Sequence, residues 1–196
     1  GLLRRAWSKG PEAFEPVLET TLQMIDRQVD AMREVTQDFS DFAGTYKEAS
    51  PEVAGELLTE VLDLAQAWAD DLGVEVVREG LEQDAEILVH GGEMRRALLN
   101  LVNNALESMP EGGRLLARLE VNGDAVRFVI QDTGRGISNG DAAHLFEPHF
   151  TTRSGGTGLG LAIVKRVVES RSGTIRLENV AEGPGAVATL TLPRIS

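Results

Sequence analysis

The chain has 196 residues, of which 42% are hydrophobic, so it can form one large domain or a small domain with an appendage. Its formal net charge of -12 argues against nucleic acid as a partner, because nucleic acid binding usually needs a basic face. The absence of cysteine excludes disulfides and thiolate metal sites and is consistent with a reducing cytoplasm. No apolar run approaches about 18 residues, so we expect no membrane contact from this segment.

The N-terminal quarter of the chain is predicted to be helical. Residues 1–7 have the character of the last turns of a helix, Gly10 and Pro11 mark a turn, and a long helical pattern covers residues 12 to about 46. This pattern holds an a/d seam, which is typical of a helix that packs on partner helices, as in a helical hairpin. The seam consists of Leu18, Leu22, Ile25, Val29, Met32, Thr36 and Phe39. An ordinary amphipathic helix on its own domain is the alternative.

The rest of the chain mixes helical and strand patterns. After a linker near residues 44–51, helices are expected over 51–68 and 91–109, and short strands over 74–78 and 86–90. Two pairs of alternating segments follow, 114–121 with 125–131 across an Asn-Gly hairpin signal, and 174–179 with 186–192. We therefore predict an α+β fold, a two-layer α/β sandwich with a mixed sheet and helices on one face, preceded by the long hairpin helix.

Two glycine-rich turns lie about twenty residues apart, starting at Asp132 and at Gly156. The second leads into a predicted helix, whose free backbone N–H groups would form a cradle for anionic oxygens. The phosphate-loop pattern is absent, and the even spacing of Gly156, Gly158 and Gly160 differs from the dinucleotide fingerprint. Upstream, Asn100 and Asn104 are four residues apart, which puts them on one face of a helix.

Together these segments resemble the ATP-binding domain of bacterial sensor histidine kinases, within the group that includes gyrase-type topoisomerases, Hsp90 chaperones and MutL proteins. The four boxes of that family occur in order: the asparagine box (residues 100–105), the first glycine box (132–136), the phenylalanine box (146–153) and the second glycine box (156–161). The flanking sequence is most similar to the nitrogen-regulation branch of these kinases.

The resemblance implies a site for Mg-ATP. Asn104 would be the Mg²⁺ ligand, since Mg²⁺ takes oxygen donors from few protein groups plus the phosphates. Asn100 stands where hydrolysing relatives carry a glutamate that activates water, and an amide cannot be that general base. Asp132 would accept a hydrogen bond from the exocyclic amine of adenine, and Arg153 would stabilise charge on the γ-phosphoryl group during transfer.

Further nucleotide contacts are expected from the last three boxes. Beside the base we expect Gly134, Gly136 and Ile137; in a mobile lid, Phe146, Phe150, Thr151 and Thr152; around the triphosphate, Gly156, Thr157, Gly158, Leu159, Gly160 and Leu161. The three histidines, His90, His144 and His149, are expected to be structural.

The resemblance also divides the chain. Residues 1–46 would be a partial dimerisation and phosphoacceptor hairpin, and residues 47–196 the ATP-binding catalytic domain. The family's acceptor motif, H-E-[IL]-[KR]-N-P, is absent from the 196 residues, so we expect the chain to begin just after it and not to autophosphorylate alone. The full-length protein would be a cytoplasmic or membrane-anchored homodimer that phosphorylates its own histidine and then an aspartate of a response regulator receiver domain.

Other functions fit parts of this pattern. An ATP-gated interaction module without phosphotransfer is one, although Asn104 and Arg153 argue against it. An ATP hydrolase of the same superfamily is another, which Asn100 disfavours, while Glu93 and Glu107 leave a different hydrolytic route open. A serine-directed kinase of the same fold is a third, and the heptad helix argues against it.

Overall fold

The computed structural model describes residues 2–8, 10–22, 24, 25, 32, 48–138, 140–151 and 157–195. The chain divides into two compact units, Gly1–Ala43 and Gly44–Ser196. In the first unit, helix α1 covers Leu2–Trp7, and residues 11–22, 24, 25 and 32 are also helical. The rings of Trp7 and Phe14 pack edge to face with their centroids 5.0 Å apart.

Three residues of the predicted heptad seam are exposed in this first unit. They are Leu22, Ile25 and Met32, with 50%, 50% and 69% of their surface accessible. Val29, Thr36 and Phe39 lie outside the described residues. Exposed apolar residues at a/d spacing are typical of a helix that packs on partner helices.

The second unit contains seven strands and three helices in its described residues. The strands are β1 (Ser50–Val53), β2 (Val74–Glu79), β3 (Glu86–Val89), β4 (Gly113–Asn122), β5 (Ala125–Asp132), β6 (Thr174–Asn179) and β7 (Ala186–Ile195). The helices are α2 (Ala54–Leu72), α3 (Gly91–Glu107) and α4 (Gly160–Glu169). The strand order is β1-β3-β7-β5-β4-β2, with β6 also paired to β7. Only β2 and β4 run parallel among these pairs, so the sheet is mixed, and the predicted α+β fold is confirmed.

Strand β1 corrects the expectation of one helix over residues 51–68. It pairs antiparallel with β3, Pro51 opposite Leu88, and α2 begins only at Ala54. Proline is tolerated on an edge strand such as this one. The pairing partner lies more than thirty residues away in sequence, so local periodicity did not predict the strand.

The β4–β5 hairpin forms where the Asn-Gly signal predicted it, with Asn122 opposite Ala125 and Gly123 at φ +58°. Along β5, alternate residues are buried: Val126, Phe128, Ile130 and finally Asp132. Because side chains alternate between the faces of a strand, Asp132 continues the buried apolar row that faces the helices. Strand β5 therefore places the Asp132 carboxylate inside the domain.

Helix α3 is central to the helical layer, since it packs against both α2 and α4. Its buried stripe includes Met94, Ala97, Leu98, Leu101, Val102, Ala105 and Leu106, at the spacing of one helical face. Asn100 and Asn104 lie outside this stripe and are half-buried. Because the apolar stripe packs into the core, Asn100 and Asn104 are held on a neighbouring, half-buried face of α3.

Surface ion pairs join α3 to the elements on either side of it. Arg95 donates to Glu60 of α2 and lies 3.9 Å from Glu52 of β1. The hydrogen bond from Arg95 lowers the pKa of the Glu60 carboxyl below its usual value. These side chains are half-buried or exposed, so the pairs contribute little to stability. None of the helices in the described part of the chain is long and apolar enough to cross a membrane.

Two leucines of α2 test where the core lies. Leu58 is fully buried and Leu64 is 71% exposed. We expect Leu58→Ala to lower the free energy of unfolding by about 2–5 kcal/mol, because it leaves a cavity. The same substitution at Leu64 should change it by no more than about 0.5 kcal/mol. Urea unfolding measures both, and equal effects would contradict the assignment of the buried face.

Candidate functional site

The asparagine box contacts the second glycine box through helices α3 and α4. Asn100 Nδ2 donates to the backbone oxygen of Gly160, the first residue of α4, at 3.3 Å. Asn104 follows one turn later on the same face of α3 and is half-buried. At the start of α3, His90 is the N-cap, since its Nδ1 accepts from the Glu93 N–H at 3.2 Å. This histidine therefore has a structural role.

Asp132 is the only polar or charged side chain that is buried among the described residues, with 7% of its surface exposed. Its Oδ1 accepts three hydrogen bonds, from Gly134 N–H (2.8 Å), Ser108 Oγ (3.0 Å) and Ala186 N–H (3.3 Å). In the described part of the chain, no hydrogen bond ends on Oδ2, yet no buried side-chain oxygen lacks a partner. Among the described contacts, Oδ2 is therefore the oxygen of this carboxylate that is left to accept a further hydrogen bond.

The two glycines of the first glycine box lie where a side chain would not fit. A Cβ at Gly134 would overlap Ser108 Oγ, and Gly136 has a φ of +70°, which glycine adopts without strain. After this turn, Ile137 and Asn179 form a reciprocal pair. The Ile137 N–H donates to Asn179 Oδ1 at 2.7 Å, and Asn179 Nδ2 donates to the Ile137 oxygen at 2.9 Å. Asn179, the last residue of β6, thus fixes the end of the box.

The described part of the phenylalanine box, residues 146–151, follows a series of tight turns. The N–H groups of Asp141, His144, Glu147 and Phe150 each donate to the oxygen three residues earlier, at 2.9–3.2 Å. Phe146 and Phe150 are half-buried, and Thr151 is exposed. The ring of His144 lies 5.9 Å from that of Phe150, and its Nδ1 lies 3.0 Å from Glu147 Oε1.

A backbone hydrogen bond joins the phenylalanine box to the second glycine box. The His149 N–H donates to the Gly158 oxygen at 2.9 Å, and both residues have left-handed backbones, with φ of +67° and +66°. A Cβ on Gly158 would lie 2.5 Å from the His149 carbonyl carbon, so glycine is required there. Thr157 Oγ1 accepts from the Leu159 N–H at 3.3 Å, and the Leu159 side chain is buried in the core.

The structure therefore brings most of the predicted site residues into one region. Asn100 contacts Gly160, the end of α3 contacts Asp132 and Gly134, and His149 contacts Gly158. Gly136 and Ile137 follow in the same turn, and Leu161 lies in the first turn of α4. Thr152, Arg153 and Gly156 lie outside the described residues, so their predicted roles stay predictions.

Two residues with clear contacts to the glycine box were not predicted from the sequence, Ser108 and Asn179. Ser108 ends helix α3 one turn after Asn104, and Asn179 ends strand β6. Both are polar residues at the ends of regular elements, which is a weak signal because such positions are commonly polar. Their contacts with the box follow only from the tertiary fold.

Comparison with known proteins identifies this arrangement as an ATP-binding domain. The family model "Histidine kinase-, DNA gyrase B-, and HSP90-like ATPase" matches residues 90–196, and the chain belongs to this family. The sensor histidine kinase ZraS of Salmonella typhi is 32% identical over 142 residues, which are 72% of this chain and 30% of ZraS. The chain thus spans about a third or less of the length of such relatives.

Solved structures support the same class. The catalytic domain of the histidine kinase ThkA has a TM-score of 0.69 at 28% identity, covering 76% of this chain and 97% of that domain. Full-length ShkA, solved with AMPPNP, has a TM-score of 0.78 at 28% identity, covering 91% of this chain and 39% of ShkA. The predicted resemblance to the ATP-binding domain of sensor histidine kinases is confirmed, while the nitrogen-regulation branch stays a prediction.

The residues of the site fit the ATP that this family binds. Asp132 Oδ2 is an acceptor at a buried carboxylate, and an ionised carboxylate only accepts hydrogen bonds, which suits an amine on the base. Helix α4 begins without a side-chain cap, since its N-cap Leu159 makes no capping hydrogen bond, and the N–H groups of a first helical turn can bind an anion. ATP would supply the phosphoryl group. Asp132 would hold its adenine base, and the start of α4 would hold its phosphates.

The Asn179–Ile137 pair gives a test of how the first glycine box is held. We expect Asn179→Ala to weaken ATP binding by about 3- to 10-fold, because two hydrogen bonds to the backbone are lost. The Ile137 amide should also exchange faster with deuterium. Asn122→Ala, at the exposed end of the β4–β5 hairpin, is the matched control and should change neither quantity. Unchanged exchange at Ile137 in Asn179→Ala would show that Asn179 does not hold the box.

Proposed function

We propose that this chain is the ATP-binding catalytic region of a sensor histidine kinase. It transfers the γ-phosphoryl group of Mg-ATP to a histidine on a dimerisation helix outside the 196 residues. The observation that carries this proposal is Asn100, an amide in the position where a hydrolase needs a carboxylate. Its Nδ2 donates to Gly160 at the start of α4, so the side chain bridges the two helices. An amide has no proton-accepting pKa, so Asn100 cannot activate water, which favours transfer of the phosphoryl group to a separate nucleophile.

Asn104 is the proposed Mg²⁺ ligand. No group of three or more His, Cys, Asp or Glu side chains suited to a metal occurs among the described residues. This agrees with a Mg²⁺ ion that is held by one amide oxygen, the phosphates and water, which is the usual arrangement for this ion. The position of Asn104, one turn from Asn100 on the half-buried face of α3, supports the assignment.

The remaining roles follow the order of the boxes. Asp132 binds the adenine amine, with Gly134, Gly136 and Ile137 beside the base. A lid with Phe146, Phe150, Thr151 and Thr152 covers the nucleotide, and Arg153 stabilises charge on the γ-phosphoryl group. The backbone and side chains of the second glycine box surround the triphosphate: Gly156, Thr157, Gly158, Leu159, Gly160 and Leu161. The chain's contribution to rate is positioning and charge stabilisation.

Partners and location follow from the same proposal. The exposed Leu22, Ile25 and Met32 support a helix that dimerises in the full-length protein. The phosphoryl group would then pass from histidine to an aspartate of a response regulator receiver domain. A cytoplasmic location, including that of the cytoplasmic part of a membrane-anchored sensor, gives access to ATP.

Phosphotransfer in trans tests the proposal. The chain is mixed with a separate helical fragment that carries the acceptor histidine, Mg²⁺ and γ-labelled ATP. We expect acid-labile label on the fragment, and a loss of about 100-fold or more in Asn104→Ala, because the metal ligand is lost. Asn103→Ala, the neighbouring asparagine on the same helix, is the matched control and should retain labelling. A fragment without its histidine should take no label.

Three results would contradict this proposal or one of its parts. Label that survives Asn104→Ala undiminished would remove the proposed role of that residue. Steady phosphate release without any acceptor fragment would instead favour an ATP hydrolase. ATP binding with neither label nor phosphate release would favour an ATP-gated interaction module.

A further inference from the structure

Ser108 joins the end of the asparagine-box helix to the carboxylate of the first glycine box. It is the C-cap of α3 and is half-buried. Its N–H donates to the oxygens of Asn104 (3.2 Å) and Ala105 (3.1 Å). Its Oγ lies 2.8 Å from the Ala105 oxygen and 3.0 Å from Asp132 Oδ1. The hydroxyl therefore has two acceptors within reach.

A serine hydroxyl has one proton, so these two acceptors compete for it. The Ala105 oxygen already accepts the N–H of Ser108, whereas the carboxylate carries charge. Hydrogen bonds to ionised acceptors are roughly twice as strong as those between neutral groups. The balance favours donation to Asp132, which makes Ser108 the only side chain among the described residues that donates to this carboxylate.

We propose that Ser108 is a positioning residue for adenine recognition, acting through Asp132. Its hydroxyl holds Oδ1 together with the N–H groups of Gly134 and Ala186, so that Oδ2 is the oxygen presented to the exocyclic amine of the base. This inference rests on the proposed function, in which Asp132 binds adenine. A carboxylate fixed by three donors on one oxygen cannot rotate freely, so it loses little conformational freedom when the nucleotide binds.

The close packing of Ser108 against the box supports the same role. A Cβ on Gly134 would overlap Ser108 Oγ, so the glycine allows the hydroxyl to reach Asp132. The Arg135 N–H donates to the Ser108 oxygen at 3.4 Å, which adds a backbone link between α3 and the turn. Helix α3, which carries the proposed Mg²⁺ ligand Asn104, thus also orients Asp132, the carboxylate proposed to bind adenine.

Nucleotide binding to three proteins tests this inference: the wild-type chain, Ser108→Ala and Ser170→Ala. Ser170 is the matched control because it is the C-cap of α4 and its Oγ donates to the Val167 oxygen at 2.7 Å, the same helix-end bond. Calorimetry compares ATP with purine riboside triphosphate, which lacks the exocyclic amine. The wild-type chain should bind ATP more tightly than the analogue.

We expect Ser108→Ala to weaken ATP binding by about 3- to 10-fold and to leave binding of the analogue within about twofold, since one hydrogen bond to the carboxylate is lost. Ser170→Ala should change neither affinity. Ser108→Thr, which keeps a hydroxyl, should retain the preference for ATP. Equal weakening of both nucleotides in Ser108→Ala, or no weakening of either, would overturn the role of Ser108.

The same titrations separate this inference from the function on which it rests. A wild-type chain that binds neither nucleotide would overturn the proposed function itself. A wild-type chain that binds both nucleotides equally would retain nucleotide binding but overturn adenine recognition by Asp132, and Ser108 positioning with it.

Discussion

The buried carboxylate of Asp132 is the constraint on which the arrangement of the first glycine box depends. The period of two along β5 carries this side chain into the apolar row behind Val126, Phe128 and Ile130. A charge in that position must be hydrogen-bonded, and donors from three separate parts of the chain, at Ser108, Gly134 and Ala186, meet at Oδ1. The end of α3, the glycine turn and the start of β7 are therefore brought to one point.

Helix α3 links this buried carboxylate to the second glycine box. Its apolar stripe packs between α2 and α4, which leaves Asn100 and Asn104 on a half-buried face. Asn100 reaches Gly160 at the start of α4, and Ser108 reaches Asp132 two turns later. One rigid helix thus sets the distance between the start of α4 and the carboxylate of Asp132. Rigid elements position functional groups more reliably than loops do.

The sequence predicted the fold class, the β4–β5 hairpin and the order of the four boxes, because periodicity and glycine spacing are local signals. Strand β1 was missed, since its pairing with β3 is remote and Pro51 is disfavoured in most strands. Ser108 and Asn179 were missed for a related reason. Their partners lie 24 and 42 residues away, and a single polar residue at the end of an element has no periodicity. Long-range polar contacts become visible only when the topology is known.

Base selectivity at Asp132 tests the central claim most directly. Calorimetric titration of Mg-ATP and Mg-GTP into the wild-type chain and into Asp132→Asn measures it. An acceptor-only carboxylate matches the amine of adenine and not the carbonyl oxygen of guanine. The predicted result is that the wild-type chain binds ATP, binds GTP at least about 100-fold more weakly, and loses this preference in Asp132→Asn. Equal affinity of the wild-type chain for ATP and GTP would contradict it.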